Sequence, residues 1–167
     1  STHFPRPYPP YVREATAHFL RKGKHYLVTS GTTSYLPNPS ELAVADTWHG
    51  PFRELGNPHP NDPSNTSFHS QISCVFKVPG KKDLYIAMAD RWAVDLMDLA
   101  YERYAVKFHQ AFDPSVEAPD DPELEDILDT IPDTSKARYV WLPIRFEGET
   151  CRIDWLDRWS PADFEDE

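Results

Sequence analysis

Proline sets the grain of this chain. Seventeen of its 167 residues are proline, and most lie between short apolar runs, not inside them. Proline has no amide hydrogen to give to a helix interior or a sheet ladder. A chain interrupted this often is better suited to a loop-rich β protein than to long helices. Its apolar runs therefore read as strands, at 15–20, 26–30, 42–45 and 52–55, then at 72–78, 84–89, 139–146 and 152–155. Gly23, Gly80 and Gly148 stand in tight turns, where positive φ suits glycine. Residues 1–13, with Pro5, Pro7, Pro9 and Pro10, read as an extended connector.

The segment 93–137 breaks this rhythm. Val94 to His109 carries apolar residues at helical spacing, and Leu124, Ile127, Leu128 and Ile131 repeat the pattern on an acidic background. We read it as an insertion with one or two short helices on the rim of the sheets, its charges forming a solvated face. The net charge of −10 gathers largely in 117–133 and in the tail 163–167. Such a balance argues against nucleic acid and anionic membrane surfaces, both of which require clustered Lys and Arg. Residues 1–160 then form the domain and 161–167 an acidic tail. No apolar run approaches bilayer length, and no secretory leader is visible. An extracellular or periplasmic setting is expected where a leader lies upstream. Cys74 and Cys151 both fall in strands and read as buried small hydrophobes, with a disulfide between strands left open.

The two halves can be laid over one another. Residues 14–30 parallel 71–87: a polar residue, an apolar strand, a turn with Gly-Lys, a second apolar strand. The offset that matches Gly23 with Gly80 also matches Glu14 with Gln71. Two further strands follow in each half, so each unit has about four antiparallel strands, the content of one propeller blade. The expected fold is all-β: a partial propeller of about two such blades with a partly helical insertion. Two blades cannot close a ring, and open ones leave strand edges exposed.

The polar residues concentrate where that fold would bring them together. A hairpin over 72–89 joins its two ends, Phe68-His69-Ser70-Gln71 and Asp90-Arg91-Trp92. Arg offers a planar donor fork and Trp a stacking face for the C–H side of a sugar ring. Glu14 and Gln71 would open the innermost strands of adjacent blades. A carboxyl at Glu14 is partly desolvated, which favours the protonated form a general acid needs. Read without context, Glu14 is a surface residue at a strand start, and Arg91 with Asp90 caps a strand. His69 is a base, a metal ligand or a structural donor. Tyr35 joins the sugar-binding candidates, although singly it reads, like Trp48, Trp141, Trp155 and Trp159, as a core or rim residue. There is no phosphate loop, nucleophile elbow or dinucleotide fingerprint.

Several of these stretches also occur together, in order, in a known family. They are Arg13-Glu14-Ala15, residues 23–31, Pro37-Asn38-Pro39, Ala45-Asp46-Thr47, Gly50-Pro51-Phe52, residues 55–58, Phe68-His69-Ser70-Gln71, residues 79–83, Met88-Ala89-Asp90-Arg91-Trp92 and residues 138–144. As a set they resemble the C-terminal half of the catalytic domain of glycoside hydrolase family 43, above all its exo-β-1,3-galactanase branch. The resemblance covers 12–92 and 138–160. It implies a five-bladed β-propeller that hydrolyses glycosidic bonds with inversion and needs no cofactor for the chemistry. It matches Glu14 with the general acid. Gln71 matches a glutamine that orients water in the galactan branch, where the usual Asp base is not kept. Ser70, Asp90, Arg91, Trp92 and Tyr35 would line the sugar site. His69 would lie beside a structural calcium, directly or through water. The implied partners are an oligo- or polysaccharide and the N-terminal half of the propeller, which carries the family's two aspartates. Departures are the Ala15-Thr16 that follows Glu14, the long insertion and the missing half. The alternatives are a carbohydrate-binding or structural propeller fragment without catalysis, or a propeller surface for a protein partner.

Overall fold

A computed structural model describes residues 9–130 and 132–167. The expected connector as far as residue 8, and Ile131 of the second helical pattern, lie outside the described residues. Eight strands form two four-stranded antiparallel sheets, each in simple sequence order. The first holds β1 (Arg13–Arg21), β2 (Lys24–Gly31), β3 (Glu41–Ala45) and β4 (Arg53–Gly56). The second holds β5 (Gln71–Lys77), β6 (Tyr85–Arg91), β7 (Arg138–Glu147) and β8 (Thr150–Ile153). Every expected strand is present, with ends shifted by a few residues. Neither sheet closes on itself among the described residues.

Period-two alternation explains how the sheets meet. In β1, Ala17 and Phe19 turn inward while Thr16 and Leu20 are exposed. Phe19, Tyr26, Val28, Leu42 and Val44 from the first sheet share one core with Ile72, Tyr85, Val140, Leu142, Ile144 and Ile153 from the second. Each such side chain contributes about 1.5–3 kcal/mol when fully buried. Arg21 ties the sheets at one end. Its guanidinium donates to the Asp83 carboxylate at 2.8 and 2.6 Å and to the Gly148 carbonyl at 2.9 Å, and lies 3.9 Å from the Phe146 ring centre.

The repeat extends to a fine detail. β1 slips register between Glu14 and Ala17, and β5 slips between Ile72 and Cys74. Each first strand thus carries a bulge just beyond Glu14 or Gln71, and a bulge re-aims neighbouring side chains. The chain is mostly β but not purely so, because 93–137 forms two helices, α1 (Tyr101–Phe112) and α2 (Pro122–Asp129). The Asp121 side chain caps α2 by accepting from the Leu124 amide, and Pro122 opens the helix. Tyr101, Tyr104, Ala105 and Leu124 pack with Leu36 in a small second core. The insertion is therefore seated on the loop that bears Tyr35.

Both cysteines are free, and burial pushes the Cys151 thiol up to about 12. The C-terminal residues run beside the β5–β6 turn. The Lys82 amide donates to the Glu165 carbonyl at 3.0 Å, and the Glu167 amide to the Gly80 carbonyl at 3.1 Å. Lys77, Lys81 and Lys82 pair with Glu167, Asp166 and Glu165. The acidic charge of this segment is thus met locally by lysines.

Candidate functional site

Where β1 lies against β5, Glu14 and Gln71 come together. The Gln71 amide nitrogen donates to Ser30 Oγ at 2.7 Å and to Glu14 Oε1 at 3.2 Å. Both amide protons are engaged, leaving the Gln71 Oε1 as an acceptor for a water. Ser30 is the cross-strand partner of Glu14, and Asp90 that of Gln71. The two hairpins thus deliver four polar side chains to one end of the sheets.

The backbone beside Glu14 is anchored by Arg13. Its guanidinium donates to the carbonyls of Thr29 at 2.8 Å and Pro39 at 3.1 Å, and lies 3.3 Å from the fully buried Glu41 carboxylate. Asn38 clamps the next turn, accepting from the Gly31 amide at 2.6 Å and donating to the Gly31 carbonyl at 2.9 Å. A Cβ on Gly31 would meet Asn38 Oδ1 and Pro10 Cδ at 3.2 Å, so glycine permits this close approach. The clamp sets the course of the loop carrying Tyr35.

Gln71 is reached through a different device. Asp62 accepts from the amides of Ser64, Thr66 and Phe68 and from the Ser64 hydroxyl. Burial opposes its ionisation, but these hydrogen bonds outweigh it and hold the carboxyl below its ordinary value. The chain then turns left-handed and presents His69, Ser70 and Gln71. Ser70 is buried, its hydroxyl donating to the Ser67 carbonyl at 2.6 Å.

Tyr35, His69, Ser70, Gln71, Asp90 and Trp92 border one narrow cleft, with about 10 Å³ of space for a water-sized body. That is room for about one water, whereas small-molecule sites usually span about 300–1,000 Å³. Tyr35 and Trp92 meet edge to face with ring centres 6.3 Å apart. On the insertion side, Trp92 also borders a wider hollow of about 530 Å³. Arg91 takes another course. It does not line the cleft, and its guanidinium donates to the backbone carbonyls of Phe68 and His69.

Burial lowers the pKa of His69, with Asp62 opposing, so the ring is neutral at neutral pH. Its Nδ1 is buried without a hydrogen-bond partner among the described residues. An imidazole nitrogen is a poor calcium ligand, since calcium takes six to eight oxygens. No group of three His, Cys, Asp or Glu side chains among the described residues could hold an ion. The described residues therefore do not by themselves fit a calcium site.

Sequence reasoning missed Ser30 and Asp62. Ser30 could have been found from hairpin register, since it faces Glu14 across the first turn. Asp62 is marked by the spacing Asp62-Pro-Ser64-Asn-Thr66, typical of a carboxylate that accepts from the backbone just ahead of it.

Neither a protein-family model nor a curated protein sequence matches the chain. Solved structures do. A family 43 β-1,3-galactosidase with galactodeoxynojirimycin shares 26% identity at a TM-score of 0.60, over 88% of this chain and 32% of its own. A second family 43 β-1,3-galactosidase shares 25% at 0.64, over 91% of this chain and 24% of its own. An exo-β-1,3-galactanase from Clostridium thermocellum shares the fold at 24% identity and a TM-score of 0.55, over 84% of this chain and 23% of its own. This chain thus spans about a third or less of each of these three structures. The likeness to part of a family 43 galactan-cleaving domain, read first from sequence motifs, holds in three dimensions.

Proposed function

We propose that this chain is the C-terminal part of a glycoside hydrolase of the family 43 type. In this reading it belongs to a five-bladed propeller that removes single sugars, with inversion, from the non-reducing end of β-1,3-galactan or arabinogalactan-type polysaccharide. The observation that carries the reading is the contact of Glu14 with Gln71 across the two sheets, beside a cleft edged by Tyr35, Trp92 and Asp90. Glu14 protonates the leaving oxygen, and Gln71 Oε1 accepts a hydrogen bond from the attacking water and orients it, while the proton that this water sheds as it bonds to the sugar carbon leaves through solvent. Ser70, Asp90, Trp92 and Tyr35 hold the terminal sugar by hydrogen bonds and ring contact. In inverting enzymes the acid and the group that activates water stand about 6.5–9.5 Å apart. Substrate therefore has to part Glu14 from Gln71. The cleft forms one wall of the pocket, and an upstream propeller half supplies the other.

The test is Glu14→Gln in the protein that contains this segment. Release of monosaccharide from β-1,3-galactan should fall by about 10²–10⁴-fold with the fold unchanged. Near-full activity would refute the assignment.

A second reading is carbohydrate binding without cleavage. It is favoured by the narrowness of the cleft and by the third or less of its relatives that the chain spans. Galactose titration accompanied by no hydrolysis of an aryl galactoside, in the complete protein, would select it. Binding to a protein but to no sugar would instead select a partner surface.

A further inference from the structure

Ser67, Phe68 and His69 have φ of 55, 57 and 56°. None is glycine, and three such residues in succession form a left-handed turn that side chains bearing a Cβ disfavour. The Ser70 amide closes it by donating to the Thr66 carbonyl at 3.1 Å. The turn is gripped from two sides. On one, the Asp62 carboxylate accepts from the amides of Thr66 and Phe68 at 2.8 and 2.9 Å. On the other, Arg91 Nη2 donates to the Phe68 carbonyl at 2.6 Å and Nε to the His69 carbonyl at 3.2 Å. Below the guanidinium lies Trp155, 5.3 Å to the ring centre.

We infer that Arg91 is a positioning residue: it fixes the left-handed turn that aims Gln71 at Glu14, and does not itself hold the sugar. The fork suits this task. Two carbonyls of neighbouring residues converge on one plane, which a guanidinium meets with two donors at fixed spacing and an ammonium does not. Gln71 begins β5 two residues beyond His69, so any loosening of the turn passes directly to its side chain. The consequence for catalysis rests on the glycosidase reading above; the consequence for the turn does not.

The experiment compares wild type with Arg91→Lys, which keeps the charge and loses the fork. Amide hydrogen exchange at Ser70 should speed by about tenfold or more, while amides of the β2–β3 ladder keep their rates. The Gln71 side-chain amide resonances should shift toward those of a free glutamine. In the complete enzyme, kcat should fall by about tenfold or more with KM within about twofold. Unchanged Ser70 exchange and Gln71 resonances would overturn the inference. So would a raised KM or galactose Kd with kcat preserved, because that marks a sugar ligand. If Arg91→Lys does not fold, Arg91→Gln, which retains an amide donor, is read by the same measurements. A response of the turn in a protein that neither binds nor cleaves sugar would defeat the glycosidase reading and leave the positioning role standing.

Discussion

Glu14 and Gln71 hold equivalent places in two sheets of one plan, each at the start of a first strand and just ahead of a bulge. The approaches to them differ. Glu14 follows Arg13, whose buried guanidinium joins Thr29, Pro39 and Glu41. Gln71 follows a left-handed turn whose amides go to Asp62 and whose carbonyls go to Arg91. One side is secured by a buried ion pair, the other by hydrogen bonds that hold an unfavourable backbone. A proton donor has to keep its place beside a mobile substrate. A residue that aims a water has to keep its direction. Under the glycosidase reading proposed above, the two anchors are suited to those two needs.

The comparison can be broken most sharply at Arg13. Arg13→Met takes the guanidinium away from the fully buried Glu41 carboxylate, and removing one partner of a buried pair costs about 3–5 kcal/mol. Urea unfolding should show this as a loss across the whole domain, since Glu41 begins β3, an interior strand of the first sheet. A loss below about 1 kcal/mol would mean that the pair is not the anchor described.

On the other side, Asp62→Asn should cost less, about 1–3 kcal/mol, because one oxygen still accepts. Here pH sharpens the contrast. The Asp62 carboxyl is held below its ordinary value, so its stabilisation is complete above the unfolded value of about 3.9 and is lost as pH falls through the lower folded value. Stability of the wild type should drop in that acid range, and Asp62→Asn should flatten the drop. His59 acts earlier. Burial lowers its pKa from 6.5 to about 4, so the unfolded chain takes up the proton first and stability declines as pH falls from about 6.5 toward 4. His59→Leu should remove that slope, as read from urea midpoints across the range.

Smaller effects follow. Ser30→Ala removes one hydrogen bond to the Gln71 amide and should cost about 1 kcal/mol by urea unfolding. Its amide resonances should move as well, without change at Ser70. Smallest of all, Lys82→Ala at the exposed C-terminal pairing should leave the urea midpoint unchanged within error.

Much of this protein was legible beforehand. Strands and turns are local, so proline, glycine and alternating apolar residues sufficed to place all eight strands; the helical spacing in 93–137 indicated one or two helices, of which the first begins at Tyr101 and not at Val94. The match of Glu14 with Gln71 was visible too, because the repeat aligns the glycines and carries the polar residues with them. The bonding of Arg91 was not legible, for a physical reason. A guanidinium beside an aspartate and a tryptophan looks like a sugar ligand, and nothing in the sequence says that the carbonyls of Phe68 and His69 will be turned toward it. Likewise, the acidic residues at 165–167 read as a free tail until the lysines of the β5–β6 turn were placed beside them.

The sequence by itself determined the two sheets, the inserted helices and the pair of residues at the strand starts, since each follows from periodicity and turn chemistry within a few neighbours. Only the tertiary structure decided what each polar group touches. The Gln71–Glu14 contact spans 57 positions and the Arg91–Phe68 bond spans 23. Such pairings depend on how two sheets pack and which way a turn winds, and no local pattern encodes them.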